Sequence, residues 1–380
     1  MMKKMIALIL ALVLCLTMFA GCTKDEGAAS EETTPTPAVI DYAAAFAKYD
    51  PDTVVMTIDG ADVTWSEFYY MLYSSLSQIQ YYMGDIYWGE ECLSGSNLTF
   101  EQYTMDMTLT MLKQLHAVEK KAKELNLTLS DDDKAKIEET IETIKLQNCG
   151  ENATDEDFNK FLLENVYLTR DAYRFINENS MMYDKVFVET VGAEGEKITD
   201  EEVAEYIASV PYITAKHILL MTVNPDTNEL LSEEEIAKAK ETAESLLAQL
   251  QEIKDQKKLT AKFDELMAEY SQDTGLLFFP EGYTFTTGEM YPVFEEAAFA
   301  LEEYELSGIV ESQAGYHILL RLPTTRNSVI DYDYQTDDYY TVLAYAATDV
   351  YSQRLTKWMS ECDVQWSEDF KEITAVEIFE

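Results

Sequence analysis

A chain of 380 residues implies about two or three domains, and its 47% hydrophobic and 12% aromatic content excludes a wholly disordered polymer. Only 14 Gly and 8 Pro exclude collagen-like and low-complexity classes and favour long helices. Against 71 Asp+Glu stand 28 Lys+Arg, a formal charge of −43 that repels phosphate backbones, so no nucleic-acid partner is expected. So acidic a chain also has no electrostatic pull toward anionic lipid, and any membrane attachment must be covalent or apolar.

Such an attachment is suggested at the start of the chain. Lys3 and Lys4 precede an apolar run over residues 5–20. That run is shorter than the ~20 residues that cross a bilayer and has the form of a secretory signal. Gly21-Cys22 closes it and resembles the lipobox of bacterial lipoproteins, although Phe19 stands where Leu is usual. The resemblance implies a signal peptide over 1–21 and lipidation at Cys22. Two acyl chains, at ~0.8 kcal/mol per buried methylene, would anchor it stably. Residues 22–41 are small, polar and Pro-punctuated, and read as a disordered tether. Cys92, Cys149 and Cys362 then remain, an odd number that excludes a complete disulfide framework. No Cys/His spacing suggests a metal site, and free thiols are expected.

The first folded segment, 42–197, reads as nearly all helix after a short strand and turn at Val54 to Gly60. Thr64 caps a helix carrying Trp65, Phe68, Tyr69 and Leu72. Further apolar periodicities predict helices over 99–125, from Ser130, from Thr154 and over 168–190. The second segment opens with a helix capped at Thr199, then a strand over 213–220 that alternates at first and ends as a continuous apolar run. Helices over 232–254 and 261–270, a loop over 271–288, and a short helix over 292–301 follow. Strands over 306–310 and 317–321 close the unit as a hairpin, giving a small α+β domain over 211–322. The last segment, 327–380, starts Tyr- and Asp-rich and continues as a helix over 341–359. It is too short for its own core and is expected to pack on the first segment, with the α+β domain inserted between them.

Only three histidines occur. His116, among Lys113, Glu119, Lys120 and Lys121, reads as a solvated surface residue. His217 and His317 lie on strands of the small domain, each opening the string His-Ile-Leu-Leu. No third ligand accompanies them, so no metal is expected, and no Ser or Cys elbow makes a nucleophile.

Four stretches in fixed order carry a family resemblance. They are Ala215 to Leu219; Ser271-Gln272-Asp273; Gly282 to Met290 with Phe294 to Phe299; and Gly315 to Leu319. Together they resemble a parvulin-type peptidyl-prolyl cis-trans isomerase domain. With the signal in front and helices on both sides, the chain is similar to PrsA- and SurA-like foldases, whose flanking segments form one chaperone-like domain. The resemblance implies that His217 and His317 are the paired histidines of the active site and that Asp273 lies close to the substrate carbonyl. It gives Met290 and Phe294 the proline pocket, with Phe285 at its edge, and requires no cofactor. Gly282 departs from the large apolar residue usual there, leaving that wall thin or supplied by Leu276 or Leu277. Ala314 departs from the usual hydroxyl, with Ser312 a nearby substitute. The loop 221–231 has no basic cluster, so phosphate-directed specificity is not expected.

The implied function is an extracytoplasmic foldase acting on unfolded or partly folded secreted polypeptides with X-Pro bonds, lipid-anchored to the membrane and able to form a homodimer. The histidines are expected to fix one tautomeric arrangement rather than pass a proton to substrate. A different class of function is chaperone binding without turnover, in which the flanking aromatics line a cleft. Most of those aromatics read as helical core. A solute-binding lipoprotein would require repeated βαβ units, which the helical halves lack.

Overall fold

A computed structural model describes residues 37–380; the signal-like run, Cys22 and most of the tether lie outside the described residues. The chain divides into two compact units, one of Val191–Val350 and one of the described residues up to Thr190 together with Tyr351–Glu380. The division therefore falls inside the helix Val342–Ser360 rather than at 327.

The discontinuous unit is mostly helical. Its helices Trp65–Met83, Phe100–Glu124, Asp131–Cys149 and Asp155–Asn165 each start at a Ser or Thr whose hydroxyl accepts from the third helical amide, with the third residue's side chain closing the capping box. Trp65, Phe68, Tyr69, Leu72, Leu112 and Phe370 build its main core. Strand Val54–Ile58 pairs antiparallel with Ala61–Thr64 on one side and with Val364–Trp366 on the other. His116 corrects the surface expectation. It is 4% exposed, its ring set against Phe175 and between the Glu67 and Glu119 carboxyls at 3.9 and 3.7 Å. The reason is geometric: it stands four residues after buried Leu112, on the inward face of a helix whose charges line the other side. Cys92, Cys149 and Cys362 are free. Among the described residues no helix is long and apolar enough to cross a membrane.

The continuous unit holds the sheet. In chain order its elements are β1 (Ile213–Met221), α1 (Glu233–Gln251), α2 (Gln256–Tyr270), β2 (Tyr283–Phe285), α3 (Pro292–Phe299), β3 (Val310–Glu311) and β4 (Gly315–Leu322). The strands run in the order β2-β1-β4-β3, every neighbour antiparallel. One face of β1 and β4 presents Ile218, Leu220, Tyr316, Ile318 and Leu320 to α1 and α2. The other presents Ile213, Ala215 and Leu319 to Phe294 and Ala298 of α3. Burial on both faces explains why β1 ends as a continuous apolar run rather than an alternation.

Two elements of this unit differ from expectation. The stretch expected as a strand over 306–310 is reduced to β3 and a single bridge between Leu306 and Leu320. Ser307 breaks the ladder, because its hydroxyl accepts the Leu319 amide that a backbone carbonyl would otherwise take. The loop over 271–288 contains a 3-10 turn, Thr274–Leu277, and strand β2.

Candidate active site

The paired histidines follow from register. β1 and β4 align so that Ile218 faces Ile318, His217 faces Leu319 and His317 faces Leu219. The two His-Ile-Leu-Leu strings thus meet antiparallel about their isoleucines. Both imidazoles emerge on one face as diagonal neighbours, a separation ring side chains can bridge. The rings lie nearly parallel with centroids 5.3 Å apart, and the two Nδ1 atoms are 3.1 Å apart.

Asp273 is brought to this pair by the edge of β1. β2 pairs with β1 only from Ile213 to Ala215, which leaves the strand edge open further along. The Ser271 hydroxyl accepts the Leu219 amide, the Gln272 amide donates to the Leu219 carbonyl, and the Gln272 side-chain oxygen accepts the Met221 amide. Pinned so, the next residue places its carboxyl 2.7 Å from His217 Nε2. Asp273 also caps the following turn, Oδ1 accepting the Gly275 amide at 2.9 Å, while the Tyr283 hydroxyl donates to Oδ2 at 2.7 Å.

Counting donors gives the chain a direction. An ionised Asp273 only accepts, so His217 donates from Nε2, and in that single tautomer its Nδ1 is an acceptor. His317 then donates from Nδ1, and its Nε2 accepts from the Ser312 hydroxyl at 2.7 Å. Ser312 Oγ in turn accepts the Ala314 amide at 3.1 Å. Every proton points toward Asp273. Burial pushes the Asp273 carboxyl up, but hydrogen bonds from His217, Tyr283 and Gly275 outweigh it and hold it at about 2. Burial, then the proximity of His217, pushes His317 down to about 4, so its ring is neutral at physiological pH.

Beneath the rings lies Phe294, with centroids 5.2 Å from His217 and 5.3 Å from His317, each edge-on. Met290 joins the same apolar cluster, partly buried. Phe285 is 1% exposed and stands behind Phe294, ring centroids 5.9 Å apart, so it backs the apolar floor rather than forming a rim.

Gly282 makes a backbone contact. Its φ is +96°, and a Cβ there would lie 2.7 Å from the Ala215 carbonyl oxygen, so only glycine lets this loop close onto β1. Leu276 packs with the α1/α2 core, whereas Leu277 is exposed. Buried Lys216 ties the loop down, its Nζ 2.6 Å from Asp264 and 3.1 Å from Glu281. Tyr283 is the site residue that motif reasoning missed. Nothing in its spacing marks it, because its hydroxyl reaches Asp273 only through the fold. Gly275 is the one signal, since any side chain there would collide with that hydroxyl.

Residues 217–322 match the Rotamase family, described as a PPIC-type PPIase domain. The chain is 34% identical over 194 residues to foldase protein PrsA of Halalkalibacterium halodurans, covering 48% of this chain and 49% of that protein. It is 33% identical to foldase protein PrsA of Oceanobacillus iheyensis, covering 59% and 64% respectively. The chain thus spans about half the length of the first of these curated relatives and under two thirds of the second. The crystal structure of PrsA from Bacillus subtilis aligns with 85% of this chain and 98% of that one at 21% identity and a TM-score of 0.25. With the histidine pair, Asp273 and Phe294 inside the matched residues, the segment 217–322 is a parvulin-type peptidyl-prolyl isomerase domain in a chain similar to the PrsA foldases.

Proposed function

We propose that the chain is a peptidyl-prolyl cis-trans isomerase and foldase for unfolded or partly folded secreted polypeptides. The observation that carries the reading is the ordered hydrogen-bond chain Ser312–His317–His217–Asp273 laid over the Phe294 ring. X-Pro rotation breaks no covalent bond; its barrier of ~20 kcal/mol is lost amide conjugation. A planar amide carries partial negative charge on oxygen and partial positive charge on nitrogen, and twisting returns both. Asp273, held ionised and facing the substrate carbonyl, opposes the charge-separated planar form and so favours the twisted one. His217, donating to Asp273, and the neutral His317 behind it hold the carboxylate in place and need not exchange a proton with substrate. Met290 and Phe294 grip the proline ring, so that the bond turns about a fixed end.

The test is exchange spectroscopy or a protease-coupled assay on an Ala-Leu-Pro-Phe peptide. His217→Ala and Asp273→Ala are each expected to lower kcat/KM by about 100-fold or more. A wild-type protein that leaves the peptide at its uncatalysed rate overturns the reading.

We further infer a lipid anchor at Cys22 on the extracytoplasmic face, supported by Lys3, Lys4 and the apolar run before Gly21. Expressed in a host that lipidates, the wild type should partition into the detergent phase and Cys22→Ala into the aqueous phase. Equal partitioning of the two refutes the anchor.

A further inference from the structure

The family match ends at Leu322, yet the compact unit continues to Val350, and a two-stranded ribbon comes next. Strands β5 (Val329–Asp333) and β6 (Asp338–Thr341) pair antiparallel, with Asp331 opposite Tyr340, Tyr332 opposite Tyr339 and Asp333 opposite Asp338. Side chains alternate along strands, so one face of the ribbon carries Asp331, Asp333, Asp338 and Tyr340 and the other is aromatic (Tyr332, Tyr339).

The aromatic face runs to the active site. Tyr332 packs on Tyr339, Tyr334 and Phe278 with centroids 4.8, 4.9 and 5.0 Å away. Phe278 ends the 3-10 turn that Asp273 caps. Its neighbour Phe279 lies 5.0 Å from Tyr283, whose hydroxyl rests on the Asp273 carboxyl. Much of this surface is open: Tyr334 is 70% exposed and Tyr339 49%. A contiguous exposed apolar surface beside a site marks a place where an apolar partner is taken up.

Charge narrows the choice of partner. On the aromatic side the Tyr332 hydroxyl donates to the exposed Asp337 carboxyl. A guanidinium or ammonium set on the exposed tyrosines gains from both that carboxylate and the rings.

We propose that the ribbon and Phe278 form an accessory substrate shelf, which holds the polypeptide flanking the X-Pro bond and favours an aromatic residue beside Arg or Lys. The proposal rests on the isomerase reading for its active site. Its occupant follows from continuity with Asp273 through Tyr283 and from charge complementarity.

Three peptides with a common Ala-Ala-Pro-Ala core test it, flanked on both sides by Arg-Trp, by Glu-Trp or by Ala-Ala. Isomerisation is read by exchange spectroscopy and binding by calorimetry, on the full chain and on Tyr334→Ala/Tyr339→Ala, two exposed positions whose loss spares the core. The wild type should favour the Arg-Trp peptide over the Glu-Trp peptide by about ten-fold in kcat/KM, and the double variant by less than about two-fold. The Ala-Ala peptide should be turned over equally by both proteins. Equal handling of the Arg and Glu peptides by the wild type, or a preference that survives in the variant, overturns the shelf. If no peptide is turned over, the isomerase reading falls, and calorimetry still decides: selective binding of the Arg-Trp peptide that the variant loses upholds the shelf, and its absence rejects it.

Discussion

Lowering the pH from 8 to 4.5 tests the charge state of one group at the site. The His317 imidazole, ordinarily protonating near 6.5, is pushed down to about 4 by its burial and by the neighbouring His217. At pH 6 only about 1% of His317 therefore carries a charge. The drop of about 2.5 pH units corresponds to about 3 kcal/mol of preference for the neutral ring. Because the folded-state value is depressed, the unfolded chain takes up the proton first. This contribution is present in full above pH 6.5 and is lost as pH falls from 6.5 toward 4. With three histidines in the chain, a long-range nitrogen–proton spectrum resolves each imidazole. His317 should keep its proton on Nδ1 and show no titration between pH 8 and 5, and kcat/KM should be flat over the same range. Urea midpoints measured at pH 7.5 and 4.5 should fall more for the wild type than for His317→Gln, which has no group to protonate there. A His317 resonance that titrates near 6.5, or a bell-shaped rate profile in that window, would refute the neutral, proton-ordered His317.

Other outcomes follow from the same contacts. Ser312→Ala removes the donor to His317 Nε2 and the acceptor for the Ala314 amide, and should lower kcat/KM by about ten-fold, with Ser312→Thr restoring most of it in a peptide assay. Phe294→Ala empties the floor beneath both imidazoles and should cost about 3–4 kcal/mol by urea unfolding, together with nearly all turnover. Gly282→Ala forces a Cβ against the Ala215 carbonyl and should destabilise by roughly 2 kcal/mol in the same experiment. Lys216→Met should change stability by less than about 1 kcal/mol, although the ammonium is buried. Its partners Asp264 and Glu281 are themselves exposed, so water takes over their charge once the lysine is gone.

The duplicated His-Ile-Leu-Leu strings made the centre of this domain legible, because the isoleucine-centred antiparallel register that buries the Leu and Ile residues also brings the two rings together. Helix starts were legible for a local reason: Thr64, Ser130, Thr154 and Thr199 each satisfy amides within their own first turn. Contacts made only by tertiary structure were not. Tyr283 reaches Asp273 because β2 turns back along β1, and Ser271 and Gln272 matter because that strand's edge is open where they pass. His116 was misread since neighbouring charges signal solvent, while the helical angle that sets burial is decided by what packs against it. The Tyr- and Asp-rich stretch after Asn327 resisted assignment because strand formers and strand breakers alternate in it. Its pairing is intelligible once Tyr332 is seated on Phe278.

The strand Val364–Trp366, pairing with Val54–Ile58 at Met56↔Trp366, has a consequence for how the molecule is made. A chain emerging from its N-terminus carries the earlier strand with one edge unpartnered until Val364–Trp366 has been synthesised, about 300 residues later. Continuous in sequence, Val191–Val350 can mature first and shorten the loop that the final closure must span. Truncation before Val364 should thus cripple the discontinuous unit while sparing the rotamase, so a nascent protein acquires its chemistry before its frame is sealed.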